Sequence, residues 1–346
     1  MKDKKLTRRK FVGTSAALMA GTTLMGSSVF GTPAILKSLK KPNSLINGVQ
    51  IGVITYSFRS MPDQSAEATL KYVLDSGISA IELIGDPAET FAGRTENPVD
   101  MASFYKLMSK KRDEGLTGDE EKEFGDMQVQ KEDYGKQVSE WRKKVAMDKF
   151  AQFRKMYNDA GVSIYAFKPR DTFGKDNTDA DIDWGMRTGK ALGASHVTVE
   201  HPGDDAQTKR LGEMAKKHGI YIAYHGHEQQ TPTLWDTALE QSEYNMMNLD
   251  LGHYVAAGNS DPLAIVKAKH DRIKSMHLKD RQTPDHGKGN LPWGMGDTPI
   301  TAALQMIRDN GYKFPATVEL EYEIPEGSDA VKEVRKCVEY CKKALS

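Results

Sequence analysis

Apolar and polar residues alternate along this chain in a repeating order. Gln50 to Ser57 is a β-branched apolar run, and an amphipathic helical pattern covers Ala66 to Ser76. Ala80 to Ile84 reads as a second strand, and Val162 to Phe167 as a third, introduced by the helix stop Ala160-Gly161. Five further strand-like runs follow: Val197 to Glu200, Ile222 to His227, Met247 to His253, Ser275 to Asp280 and Thr317 to Glu321. Helical patterns separate them at Asp181 to Leu192, Gln207 to His218, Leu263 to Lys269 and Ile300 to Asn310, and Ser328 to Leu345 closes the chain. Three of these helices end at Gly193, Gly219 and Gly311, the expected residue just past a helix. Strands that alternate with helices predict a parallel sheet, and eight such units predict its closure into a (β/α)8 TIM barrel. No glycine-rich phosphate fingerprint follows the first strand, which argues against a doubly wound nucleotide fold.

The last five runs each stop at groups that bind metals or move protons. Side chains alternate along a strand, so Ala223, His225 and His227 share one face. Asn248 with Asp250, Ser275 with His277 and Lys279, and Thr317 with Glu319 and Glu321 form equivalent sets. The intervening Leu249, Met276, Leu278, Val318 and Leu320 are apolar and belong under the helices. One such residue has an ordinary explanation: His277 as a hydrogen-bonded core histidine, Asp250 as the cap of a turn, Glu319 as the partner of a lysine. Five strand ends that agree point to one site at the C-terminal mouth of a barrel. Mixed nitrogen and oxygen donors suit one divalent metal, Mn²⁺, Zn²⁺, Co²⁺ or Mg²⁺, which polarises a carbonyl while a carboxylate moves a proton on carbon.

Composition narrows the classes. The chain has 346 residues, 38% hydrophobic content and zero formal net charge, with no basic patch for nucleic acid. Lys5-Leu6-Thr7-Arg8-Arg9-Lys10-Phe11 followed by a weakly apolar stretch reads as a twin-arginine export signal over residues 1–30, which predicts a periplasmic protein. Nothing later is long and apolar enough to span a bilayer. The barrel domain is expected over 48–346. Its polar, charged segment 86–138 is expected to be a helical insertion after the second strand, joining the barrel helix near Ser139 to Asn158. Cys337 and Cys341 lie four apart on one helix and read as free thiols.

Leu249-Asp250-Leu251-Gly252-His253, Val255 to Pro262 and His277-Leu278-Lys279-Asp280 together resemble the sugar phosphate isomerase/epimerase family, with its xylose-isomerase-like TIM barrel. Tyr224-His225-Gly226-His227-Glu228, Gly294 to Thr298 and Glu321-Tyr322-Glu323 add to the resemblance, which covers about residues 48 to 345. It implies a metal held by Glu, Asp, His and Glu from the fifth to eighth strands. Carried onto this chain, the last three are Asp250, His277 and Glu321, while the fifth strand offers His225 in place of Glu. That exchange removes one of two carboxylates used as a proton-transfer pair. Glu200 on the neighbouring strand could replace it, as ligand or base. The expected roles are therefore His225, Asp250, His277 and Glu321 for the metal, and Glu200, Glu321 and Lys279 for catalysis. His227, His253 and Glu82 are expected to bind substrate.

The activity so implied is isomerisation or epimerisation of a non-phosphorylated sugar or keto-sugar, by proton abstraction beside a metal-polarised carbonyl. The alternatives are a lyase or hydratase acting on a 3-keto-glycoside by β-elimination, and a non-catalytic periplasmic sugar-binding protein. Abasic-site nucleases share the fold, but zero net charge and export argue against that activity. A small carbohydrate is the expected partner, and a homo-oligomer is left open.

Overall fold

The structure, a computed structural model, describes residues 41–346. The twin-arginine segment lies outside the described residues. Eight parallel strands close into a barrel. They are β1 (Val49–Ile54), β2 (Ala80–Ile84), β3 (Ser163–Lys168), β4 (His196–Glu200), β5 (Tyr221–His225), β6 (Asn245–Asp250), β7 (Ile273–Leu278) and β8 (Ala316–Val318). Neighbours in sequence are neighbours in space, and β1 pairs with both β2 and β8, which removes the sheet edges. A short strand, Leu45–Ile46, folds back on β1 across the N-terminal end.

Among the described residues, twelve α-helices accompany the sheet: α1 (Ala66–Asp75), α2 (Gly85–Phe91), α3 (Met101–Asp113), α4 (Gly118–Lys144), α5 (Met147–Asp159), α6 (Asp179–Leu192), α7 (Asp205–His218), α8 (Asp236–Gln241), α9 (Leu251–Ala256), α10 (Pro262–Lys269), α11 (Ile300–Asn310) and α12 (Ala330–Leu345). Polar caps start several of them. The Thr178 hydroxyl accepts from the Asp181 amide while the Asp181 side chain returns to the Thr178 amide. Gly193, Gly219 and Gly311 end α6, α7 and α11 in the left-handed conformation. Cys337 and Cys341 are buried free thiols on α12. No described helix is long and apolar enough to cross a membrane.

The insertion after β2 is helical, built from α2, α3 and α4. It carries a small core of its own, Val99, Phe104, Leu107 and Phe124. The charged surface of α4 runs on to Lys144, and the chain turns at Val145 and Ala146 before α5. The one continuous helix expected near Ser139 to Asn158 is therefore two, because both linking residues are extended. Arg142 ties α4 to the barrel. Its buried guanidinium lies 3.5 Å from Glu89, donates to the carbonyls of Arg170 and Asp171 and stacks over Trp184.

The strands divide their side chains by chemistry. Val197, Ile222, Tyr224, Met247, Leu249, Met276, Leu278 and Val318 face outward into the main apolar core under the helices. The inward face carries a hydrogen-bonded polar network among smaller and apolar residues such as Ala223. Tyr165 meets Thr317 at 2.8 Å, His196 meets Ser275 at 3.0 Å, and Asn248 donates to Ser275 at 3.0 Å. Burying so many polar groups costs free energy unless each finds a partner, and this network supplies the partners. It also gives the mouth above it a rigid floor.

Candidate metal centre

Strand register decides which side chains meet. Glu200 pairs with His225, and Asp250 with His277, while His225 is level with Asn248, so Asp250 and His277 stand one inward step above His225. On β8, Thr317 is the residue level with His277. The inward residue above it is therefore Glu319, and Glu321 is one further step out. Accordingly His225, Asp250, His277 and Glu319 converge, with ligating atoms all within 4.8 Å of one another, and all four are buried. Glu321, expected as the fourth ligand, is instead 22% exposed and paired with Lys279 at 2.7 Å. The Glu-Leu-Glu pattern permits either carboxylate, and register selects the first.

Each member of the cluster is oriented by a second contact. His225 Nδ1 lies 3.0 Å from Asn248 Oδ1; donation there leaves Nε2 as the free acceptor. His277 Nε2 lies 2.7 Å from Glu82 Oε2, which places Nδ1 toward Glu319 at 2.9 Å. Asp250 Oδ1 accepts the His253 amide at 2.7 Å and so caps α9, while Oδ2 is buried without a hydrogen bond. The capping role and the ligand role thus fall on different oxygens of one carboxylate. That oxygen faces the Lys279 ammonium at 3.0 Å and is flanked by two imidazole nitrogens and a second carboxylate, a donor set that fits a divalent cation. A carboxylate behind a ligand histidine is the usual way such a ring is held and made more basic.

Glu82 was expected to touch substrate. It is fully buried beneath the cluster, where it accepts from Thr198 at 2.7 Å and from Asn248 at 3.0 Å as well as facing His277. It is a positioning residue. Burial alone would raise its pKa, but the charge and hydrogen bond of His277 bring it down to about 2. Burial likewise disfavours a charged His277, yet the Glu82 and Glu319 charges outweigh it and lift the ring to about 10. His225 goes the other way, to about 3, through burial and the Lys168 charge.

The rim holds the remaining candidates. Glu200 bridges Lys168 at 2.7 Å and His227 at 2.9 Å. Burial would raise this carboxyl, but the His227 hydrogen bond and the His225 and Lys168 charges hold it well below the usual carboxylate range. In return the Glu200 hydrogen bond raises His227. The His227 ring stacks on His253, with centroids 4.4 Å apart. His253 is contacted on both ring nitrogens, by Arg281 at 2.7 Å and by Lys279 at 3.0 Å. Lys279 itself is 3% exposed and lies within 3.0 Å of Asp250, 2.8 Å of Glu319 and 2.7 Å of Glu321.

Lys168, Arg281 and Thr198 escaped the sequence reading; they carry no motif, and Asn248 and Ser275 were placed on the inward face without a role. Asp280, in the His-Leu-Lys-Asp motif, faces away from the chemistry. It accepts the amides of Gly294, Met295, Gly296 and Thr298 and so pins the loop after β7. A Cβ at Gly296 would lie 2.4 Å from Asp280 Oδ1, which explains that glycine.

Comparison with known proteins agrees with this geometry. Residues 128–343 match the sequence profile of the xylose isomerase-like TIM barrel family. Inosose dehydratase of Lacticaseibacillus casei is 31% identical over 133 residues, 33% of this chain and 44% of that protein. The chain thus spans under half the length of the curated relative it matches. Among solved structures, the 3-keto-D-glucoside 4-epimerase of E. coli aligns over 85% of this chain and 99% of its own, with TM-score 0.56 and 9% identity. A structure of the IolI protein with a bound zinc atom aligns over 86% of this chain and 99% of its own, with TM-score 0.53 and 14% identity. At those identities the likeness concerns the fold. Profile match, closed barrel and convergent strand ends together establish that this chain belongs to the xylose isomerase-like TIM barrel family.

Proposed function

We propose that this protein is a metal-dependent enzyme acting on a non-phosphorylated sugar or keto-sugar by removing a proton from the carbon beside its carbonyl. The observation that carries the reading is the buried cluster of His225, Asp250, His277 and Glu319, with both rings fixed from behind and the two carboxylates turned to one point. Those four residues would hold one divalent cation. When bound, the ion supplies Lewis-acid polarisation of the substrate carbonyl, which acidifies the neighbouring C–H.

The chain's own groups handle the proton. With Asp250 and Glu319 serving the ion, Glu200 at the end of β4 and Glu321 two residues past Glu319 are carboxylates left beside the cluster. Each is held by a lysine, Glu200 by Lys168 and Glu321 by Lys279, which fixes its direction. One takes the proton; its return to the opposite face of the same carbon gives the epimer, and its return to the former carbonyl carbon, with the neighbouring hydroxyl proton passed to the carbonyl oxygen, gives the isomer. His227, His253 and Lys279 line the same opening and orient the substrate oxygens.

A second reading is elimination. The Glu200 hydrogen bond raises the His227 pKa, which favours this ring as the acid that would protonate a departing oxygen. A dehydratase among the relatives and a keto-glucoside epimerase among the structural neighbours support the same first step. The test is incubation of metal-loaded protein with free and 3-keto sugars in D₂O. Deuterium on one carbon without release of a fragment supports isomerisation. Release of water or an aglycone identifies a lyase. No exchange and no release with any sugar of the panel rejects the proposal in favour of a binding protein.

A further inference from the structure

Lys279 stands where a cation is wanted. Its buried ammonium lies 3.0 Å from Asp250 Oδ2 and 2.8 Å from Glu319 Oε2, the two carboxylates of the candidate metal cluster. The position follows from β7, which sends His277 and Lys279 inward in succession, and from β8, which sets Glu319 beside Lys279. Burial disfavours its charge, but the charges of Asp250, Glu319 and Glu321 outweigh that and keep it protonated. Two buried carboxylates so close would repel each other strongly without a positive group between them.

His253 is shared. Its Nδ1 lies 2.7 Å from Arg281 and its Nε2 3.0 Å from Lys279, and both of these cations only donate, so the neutral ring can accept from one of them and not from both. The partner that accepts from Lys279 and lies outside the cluster is Glu321, at 2.7 Å and partly open to solvent.

We propose that Lys279 is the internal counter-cation of the metal-free site, and that a divalent ion enters by exchange with its ammonium, which withdraws to Glu321. The inference rests on the metal reading given above. It assigns Lys279 and Glu321 as positioning residues for metal entry, separate from any contact with substrate. It also explains a lysine next to a cation site: a like charge left in place would repel the ion, and a carboxylate one step outward absorbs it.

The experiment is calorimetric titration of metal-stripped full-length protein with Zn²⁺ alone and with Mn²⁺ alone, on wild type, Lys279→Met, Glu321→Gln and the double variant. Removing the competing charge should tighten metal binding about tenfold or more. Glu321→Gln should weaken it severalfold, and that loss should vanish in the double variant, which has no ammonium to relocate. Lys279→Gln carries the same expectation as Lys279→Met should the latter fail to fold. Equal or weaker binding in the folded Lys279 variants overturns the proposal. An undiminished Glu321→Gln loss in the Lys279→Met background also overturns it, since Glu321 would then be a ligand. Absence of binding in every protein tested overturns the metal reading and this inference with it.

Discussion

Replacing Glu82 by Gln isolates the charge behind His277 from the hydrogen bonds that hold it. Glu82 accepts three hydrogen bonds: His277 and Asn248 on one oxygen, Thr198 on the other. A glutamine amide oxygen in the first position keeps two. Its amide then faces the Thr198 hydroxyl, which can turn and accept. The hydrogen bonds survive and the charge goes. Two effects on metal binding then oppose each other. Glu82 stabilises the proton that His277 carries without metal, so its loss eases proton release. Glu82 also attracts the ion, which carries twice the charge. At an effective dielectric near ~20, Coulomb's law gives roughly 3 kcal/mol for a proton about 5 Å away and roughly 5 kcal/mol for a divalent ion about 7 Å away. The ion loses more, by about 1.4 kcal/mol, or roughly tenfold in affinity. That falls in the ~10–100-fold range for changes behind metal ligands. Titration calorimetry at pH 7 measures it, with melting of the metal-free protein as a check on folding. Glu82→Gln affinity equal to or tighter than wild type refutes the reasoning, because the ion would then not sit on His277.

Three further outcomes follow from the same geometry. The His277 pKa rises from 6.5 to about 10 on folding, so its contribution to stability is complete below pH 6.5 and is lost as pH rises through about 10; the melting temperature of metal-free protein should fall across that window, while apparent metal affinity should rise across it as the competing proton leaves. Glu200→Gln should lower deuterium exchange by roughly 10²–10⁴ if Glu200 is the base, with metal content unchanged; normal exchange would leave Glu321 in that role. Export by the twin-arginine route is proposed from Arg8-Arg9, and replacing both by lysine should retain the protein in the cytoplasm, where cell fractionation would find it.

The barrel was readable because its outward strand residues are apolar, its helices end at glycine, and each strand stops at a polar group. Ile300 to Asn310 is helical as expected from its own pattern. The short helices Asp236–Gln241 and Leu251–Ala256 were not foreseen, since each is under two turns and carries no period of its own. At the site, parity along the strands placed His225, Asp250 and His277 on the inward face, where the structure brings them together. It could not rank Glu319 against Glu321, because both share one face and only the pairing of Thr317 with His277 sets their height. Glu82 was legible as an inward carboxylate but not as a buried one, because its depth depends on Thr198 and Asn248 from strands far away in sequence. Lys168 was missed because a lysine at a strand end is ordinary until its partner Glu200 is known.

The central claim is that four strand ends hold one divalent ion, and anomalous diffraction from crystals of the metal-loaded protein tests it directly. The account predicts a single peak within about 2.0–2.3 Å of His225 Nε2, Asp250 Oδ2, His277 Nδ1 and a Glu319 oxygen, the range of metal–ligand bonds. The Lys279 ammonium should be turned toward Glu321 in the same map. A peak bound by Glu321 in place of Glu319, or no peak between these four residues at saturating metal, would contradict it.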